Sequence, residues 1–385
     1  MSSRGRVPLA WRNVTYNPRK FLLSVGGVTF AVLLMFTEVG FLNGILDGQV
    51  VLLGKLRADL VLVSASKANM FVAEPFPRER LWSAAADPSV ESVSPVYVAM
   101  NVPWKHPGRR ALRFLRLVAF DPDDRAFADP EVDGRREALK QRDTVLFDRR
   151  AAAYFGRPVD GVETELGSRR VRVAGTFDSG VDLPSRGTAI TSDRTFLRLV
   201  QPGAVEPELK RVEIGLVHLR PGADAGAAVK ALRAALPGDV TVLTFHDFLA
   251  RERGYFLKNT PIGLMFALGV LMGAVVAGFI CYQILYADVL DNLGQYATLK
   301  AMGYATWAIG LVVLQQALYL GLLGFLAGAT GSGLLYRGLS MSTGFRIHLT
   351  AGRAGAVLAL TLMACAVAAL LAAKKPLAAD PADAF

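Results

Sequence analysis

Four apolar blocks decide what this chain can fold into. Phe21–Leu46, Ile262–Ala287, Ala308–Leu335 and Ala354–Ala373 each run for twenty residues or more with few or no charges. That is the length an α-helix needs to cross the hydrocarbon core of a bilayer. The first two blocks would reach about 39 Å at the helical rise, against roughly 30 Å of hydrocarbon, so they tilt or project beyond it. Between the first and second blocks lies a long polar region, large enough to bury a core of its own. The expected fold class is therefore membrane α-helical, with four transmembrane helices, plus an α+β domain with a β-rich inserted lobe.

Composition narrows the function. The net charge is +10, but Lys and Arg are scattered, with no basic stripe interleaved with aromatics. We read this as attraction to membrane lipid and solvated faces, not as a nucleic-acid surface. The two cysteines, Cys281 and Cys365, both fall in apolar blocks, so the polar domain carries no disulfide. His106, His218, His246 and His348 are far apart, and no metal-ligand spacing occurs. A phosphate-cradling loop would need two glycines and a following Lys-Ser/Thr. The one Gly-Lys pair, Gly54-Lys55, has Gln49 in place of the first glycine and is followed by Leu56. No catalytic residues and no cofactor are assigned to this chain.

Taken in order, residues 1–20 are basic, and Val7, Ala10, Trp11 and Val14 repeat at helical spacing. They read as a short amphipathic helix in the membrane interface, ended by Pro18. The first span occupies 21–48. Glu38 near its far end is an intramembrane polar candidate, and Gly40 and Gly44 are spaced for close helix contact. The polar domain occupies 49–258. Strands are predicted at Ala58–Ser64, Val90–Val102, Arg211–Leu219 and Val240–Thr244, with helices at Pro77–Ala86 and Ala223–Leu236. The outer parts, 49–104 and 205–258, pair into one α+β subdomain. The inserted lobe, 105–204, holds short strands at Leu112–Phe120, Thr144–Phe147, Arg169–Phe177 and Thr188–Thr191. Lys105–Arg110 is read as a solvated turn. The second span is 259–287, with Gly269 and Gly273 as a second small-residue pair. A polar stretch at 288–307, the third span at 308–335, a short loop at 336–353, the fourth span at 354–373 and a tail at 374–385 complete the chain.

With four spans both termini share a side. Counting Lys and Arg near the span ends gives eight on each side, so that rule alone does not orient the protein. The cations before the first span favour a cytoplasmic N-terminus, which puts the large domain outside the cytoplasm. The 288–307 stretch then faces the cytoplasm. Leu293, Tyr296, Leu299 and Lys300 carry helical spacing there, and Met302-Gly303 closes it with a glycine stop. A short helix clasped by two spans can press on a soluble partner and pass the push to both. Asp291, Leu293, Gln295, Tyr296, Leu299, Lys300, Met302 and Gly303 are the candidate coupling residues.

The layout of one span, a large external domain and three further spans resembles the FtsX-like, MacB-type ABC transporter permeases, the mechanotransmission group. Within it, Leu9–Phe36, the strand ADLVLVS and the stretch GQYATLKAMGY (Gly294–Tyr304) resemble DevC-type permeases. Where that family commonly has an acidic residue before the position of Tyr296, this chain has Gln295. The resemblance implies a homodimer in the bacterial inner membrane with its large domain in the periplasm. It implies two copies of a cytoplasmic ABC ATPase, which bind ATP and Mg, a periplasmic membrane-fusion adaptor and a TolC-like outer-membrane channel. It implies export of a glycolipid or other amphiphile. Two other roles share this architecture: an FtsX-like regulator of a cell-wall hydrolase, and a lipoprotein-extraction permease.

Overall fold

The computed structural model describes residues 9–70, 72–179, 187–201, 208–302, 305–343 and 349–374. Helices α1 (Leu9–Thr15) and α2 (Pro18–Val51) open the chain. The polar region begins β1 (Leu60–Ser64), β2 (Phe76–Pro77), α3 (Arg78–Ala85), β3 (Val90–Lys105) and β4 (Leu112–Phe120). It continues α4 (Pro130–Asp133), α5 (Arg136–Lys140), β5 (Thr144–Asp148), β6 (Glu163–Leu166), β7 (Arg169–Phe177), β8 (Thr188–Ser192) and α6 (Asp193–Val200). It closes with β9 (Arg211–Val212), β10 (Ile214–Leu219), α7 (Ala225–Ala235), β11 (Val240–Thr244) and α8 (Phe245–Asn259). Then follow α9 (Ile262–Asp291), α10 (Leu293–Ala301), α11 (Thr306–Thr343) and α12 (Ala351–Ala372). The chain divides into two compact units, one of residues up to Gly44 with Pro261–Thr343 and the last helix, the other of Ile45–Thr260.

In the helical unit, α2, α9, α11 and α12 are each long and apolar enough to cross a membrane. Helix α2 starts because Asn17 accepts from the backbone N–H groups of Arg19 and Lys20, both at 3.2 Å, with Pro18 as its first residue. Proline suits that position, since its missing N–H would have no helical partner. Pro18 thus opens the span helix rather than ending the amphipathic one, which stops at Thr15. Glycines set how closely the spans approach. A Cβ on Gly324 or Gly328 of α11 would lie 2.5 Å from the Cγ1 of Val28 or Val32 on α2. On α9, a Cβ on Gly273 would lie 2.6 Å from Met35 Cγ, and one on Gly269 2.5 Å from Glu38 Cδ. Half-buried Glu38 therefore lies against a helix neighbour within this unit. A Cβ on Gly40 would meet the Tyr336 hydroxyl, which donates to the Phe36 carbonyl. Gly44 is buried on α2.

The buried face of α9 runs through Ala274, Ala277, Cys281, Leu285 and Val289, at spacings of four and three. It packs with Cys365, Ala368 and Ala372 of α12 and Val313 and Ala317 of α11. Both cysteines are therefore interior packing residues. The outer face of α9 is apolar as well: Leu264, Leu268, Met272, Val275 and Phe279 are exposed. A helix apolar on all sides, with one side uncovered, is built for contact with lipid.

In the other unit, nine strands form one sheet in the order β11-β1-β10-β3-β4-β8-β5-β7-β6. The first four, all antiparallel neighbours, come from two strand-helix-strand units, β1-α3-β3 and β10-α7-β11. Their interleaving is the split βαβ arrangement of ferredoxin-like folds. Gly215 lets α3 sit on this sheet: a Cβ there would lie 2.7 Å from Leu81 Cδ1. The remaining strands curl until β6 meets β3 at Leu166 and Trp104, closing a barrel-like lobe. Trp104 is fully buried inside, its indole N–H donating to the Phe155 carbonyl at 3.1 Å.

The lobe does not begin at residue 105. Strand β3 is continuous, pairing with β10 through Val96 and with β4 from Tyr97 onward. The register shifts between Ala99 and Val102, where Asn101 has φ +58. This bulge bends the strand from one half of the domain into the other. The expected single strand Arg211–Leu219 is broken at Glu213, whose carboxylate takes the buried Lys67 ammonium. Helices α4, α5 and α6 lie in the stretch read as strands and turns.

Candidate functional site

Helix α9 does not stop at Ala287. It continues through Asp291, so Asp291 belongs to its last turn and not to the connecting helix. Asn292 makes the break, with φ −106 and ψ 14. Its side-chain amide donates back to the Asp288 carbonyl at 2.8 Å and to the Asp288 carboxylate at 3.2 Å. Its own carbonyl accepts from the N–H groups of Gln295 and Tyr296 at 3.0 and 3.2 Å, which starts α10. The helix order α9-α10-α11 therefore rests on one asparagine that closes one helix and nucleates the next.

Tyr296 fixes α10 to the spans. It is 3% exposed and packs in a cluster with Val289, Val313, Ala317 and Ala373. Burial pushes its phenol pKa up to about 12, and the nearby Asp288 adds to this. Asn13 and Gln316 lie beside its hydroxyl, in an alignment that makes no hydrogen bond. Leu293 is half-buried against the same cluster. Gln295 and Thr298 face outward, Met302 is 63% exposed, and the Thr298 hydroxyl turns back to the Gly294 carbonyl at 2.8 Å. Leu299 and Lys300 lie on α10, their side chains outside the described residues, as is Gly303.

Residues that the spacing argument passes over surround this helix. Gln316, fully buried on α11, donates to Asp288 at 3.1 Å. Lys20 at the start of α2 pairs with Asp291 at 2.5 Å. That pair is exposed, 63% and 59%, so it orients the helix ends more than it stabilises them. Helix α1 packs on α11, with Trp11 edge-on to Tyr319 at 5.6 Å. Gln316 was visible in sequence as an amide inside an apolar run, and its partner Asp288 sits where hydropathy places the end of a span. Among the described residues no group of three or more His, Cys, Asp or Glu gathers as a metal site.

Residues 267–381 match the FtsX-like permease C-terminal family. Two uncharacterised ABC transporter permeases of Mycobacterium tuberculosis strains are 23% identical over 382 residues, 98% of this chain and 98% of each relative. Among solved structures, the periplasmic region of MacB from Actinobacillus actinomycetemcomitans aligns with a TM-score of 0.35 at 11% identity, covering 54% of this chain and 96% of that one. The extracellular domain of the noncanonic ABC-type transporter YknZ from Gram-positive bacteria aligns at 0.31 and 12%, covering 49% and 99%. The stretch that holds α10 and most or all of α9, α11 and α12 thus resembles the C-terminal region of FtsX-like permeases, in a chain similar along nearly its whole length to two ABC transporter permeases.

Proposed function

We propose that this chain is the permease subunit of an ABC-type export system, driven by a separate ATPase through α10. The observation that carries the reading is the construction of α10. It is a short helix of its own, pinned from inside by Tyr296, with Gln295, Thr298 and Met302 turned outward. A partner pressing on that outer face moves a helix whose anchor lies in the packed core of α9, α11 and α12. ATP binding closes two partner ATPase subunits, α10 shifts, and α9 carries the movement along its 30 residues. With a length near 45 Å at the helical rise, α9 exceeds the hydrocarbon core and acts as a rod.

The same reading places the protein as a homodimer in a bacterial inner membrane, with Ile45–Thr260 in the periplasm. An adaptor of the membrane-fusion type and a TolC-like channel receive an amphiphilic cargo, a glycolipid in DevC-type systems. The test is ATP hydrolysis by the partner ATPase with the permease in proteoliposomes. Gln295→Lys and Met302→Ala lower the stimulated rate several-fold while leaving the ATPase alone unaffected. Unchanged stimulation in both variants contradicts the assignment of α10.

A further inference from the structure

We infer that Lys55 is a positioning residue: it clasps the inserted lobe to the end of the first span helix, so that a movement of α2 reaches the lobe directly. This deepens the transport reading and rests on it for the source of the movement. The clasp itself lies wholly within the unit Ile45–Thr260.

Helix α2 ends at Val51, and Leu53–Lys55 makes one short helical turn before the chain enters β1. Over those few residues the chain zips onto the lobe. The Ala128 N–H donates to the Lys55 carbonyl at 2.8 Å, the Arg57 N–H donates to the Ala126 carbonyl at 2.9 Å, and Leu56 bridges antiparallel to Phe127. The Lys55 ammonium then reaches two parts of the lobe at once. It pairs with the Asp129 carboxylate and donates to the Asp178 carbonyl. Asp129 caps α4, accepting from the Glu131 N–H at 2.8 Å, and Asp178 directly follows β7. The Asp129 side chain is 4% exposed and that of Lys55 24%. Water therefore competes for this pair far less than for an exposed one.

The apolar packing around the clasp is incomplete. Leu52, Leu53 and Leu56 share one core with residues of both halves of the domain, yet a cavity of about 20 Å³ remains there, lined by Leu53, Val96, Val98, Val118 and Phe127. It lies next to the bend of β3 at Asn101, where that strand passes from one half to the other. Unfilled space beside a bend leaves its lining short of contacts, and the polar clasp supplies what the packing lacks. Helix α8, which leads into α9, is held to the four-stranded half instead. The Phe245 N–H donates to the Asp59 carbonyl at 3.0 Å, just before β1, and Glu252 accepts from the Met70 N–H at 2.8 Å. Arg253 of α8 also meets Asp47 of α2 at 2.8 Å, but that pair is partly solvated and fixes little.

The test measures where the lobe sits. Spin labels are placed on Arg170→Cys of β7 in the lobe and Lys230→Cys of α7 in the four-stranded half, both exposed positions. The full chain is used, its native cysteines being buried, and labelled protein is diluted with unlabelled so that pulsed electron resonance reads distances within one chain. No ATPase is present, so the outcome is independent of the assignment of α10. The expected result is one narrow distance in the doubly labelled chain and a broadened or displaced one when Lys55→Met is added. Asp129→Asn gives the same change to a smaller degree, because asparagine caps a helix as well as aspartate does and the bond to the Asp178 carbonyl stays. Lys105→Met, which removes an exposed pair with Glu165 elsewhere in the lobe, leaves the distance as it was. An unchanged distance in Lys55→Met overturns the proposal. Should that variant fail to fold, an unchanged distance in Asp129→Asn overturns it. Equal broadening in Lys105→Met overturns it as well, since the lobe would then answer to the loss of any charge.

Discussion

Tyr296 shows how one side chain can hold a short helix to the spans on either side of it. Its ring fills a gap among Val289, Val313 and Ala373, while its hydroxyl is buried without a hydrogen bond. The two parts of the side chain therefore make opposite predictions. Tyr296→Ala removes the packing and costs about 3 kcal/mol of stability, read as a fall in the thermal midpoint of the purified protein. Tyr296→Phe keeps the ring and deletes the unpaired group, so the midpoint stays or rises. His218 on β10 offers a pH test. Burial holds its imidazole below the usual histidine range, with Asp59 partly opposing this. The unfolded chain therefore takes up the proton first. The stability this neutral imidazole allows is fully present above about 6.5 and is lost as the pH falls through the lower folded value. Denaturant midpoints measured across that window should decline towards acid, and His218→Gln should remove that part of the slope.

At the scale of elements, the loop between β1 and β2 is held from inside by charge. Lys67 and Glu213 form a buried pair, and Lys67 also donates to the Val72 carbonyl at 2.7 Å. Glu252 of α8 accepts from the Met70 N–H at 2.8 Å and from Arg251 at 3.2 Å. Lys67→Met strands Glu213 in the interior and should cost about 3–5 kcal/mol, with much of it recovered when Glu213→Leu is added. Urea denaturation of the three variants gives the cycle. Among the spans, Gly328→Ala places a Cβ 2.5 Å from Val32 and should loosen the α2–α11 contact. At Gly333, where no atom lies within 4 Å, the same change should be neutral or add up to about 1 kcal/mol from helix propensity. Thermal midpoints in one detergent separate the two.

Much of this architecture was legible in the chain, and the rest was hidden for identifiable reasons. The spans announce themselves because hydropathy is their cause. Their ends do not, since Asp288 and Asp291 are polar yet still helical, and hydropathy falls before the hydrogen bonding does. Pro18 reads equally as a stop or a start, and only the Asn17 cap decides. The bend in β3 depends on the φ of Asn101, a residue that tolerates the left-handed region but does not demand it. The candidate coupling residues were found by spacing, but which of them faces in was not. Tyr296 and Gln295 are neighbours, and the sequence does not say which lies over the α9–α11–α12 core. Gln316 carries no charge, so nothing in the sequence sets it apart from the other polar residues of its apolar block.

For the molecule as a whole, the proposed function has force travel from a cytoplasmic partner to a periplasmic domain, and it predicts that α10 and the β3–β4 hairpin label from opposite sides. Gln295→Cys and Arg109→Cys place thiols at exposed positions, while the native Cys281 and Cys365 are buried. In intact spheroplasts a membrane-impermeant maleimide should label position 109 and reach position 295 only after permeabilisation. The most direct measurement is photo-crosslinking from position 295 to the partner ATPase. A benzophenone attached to Gln295→Cys should join the two chains, with a yield that changes between the nucleotide-free and ATP-trapped states. No adduct in either state, or one whose yield ignores nucleotide, would contradict the claim that α10 receives the stroke.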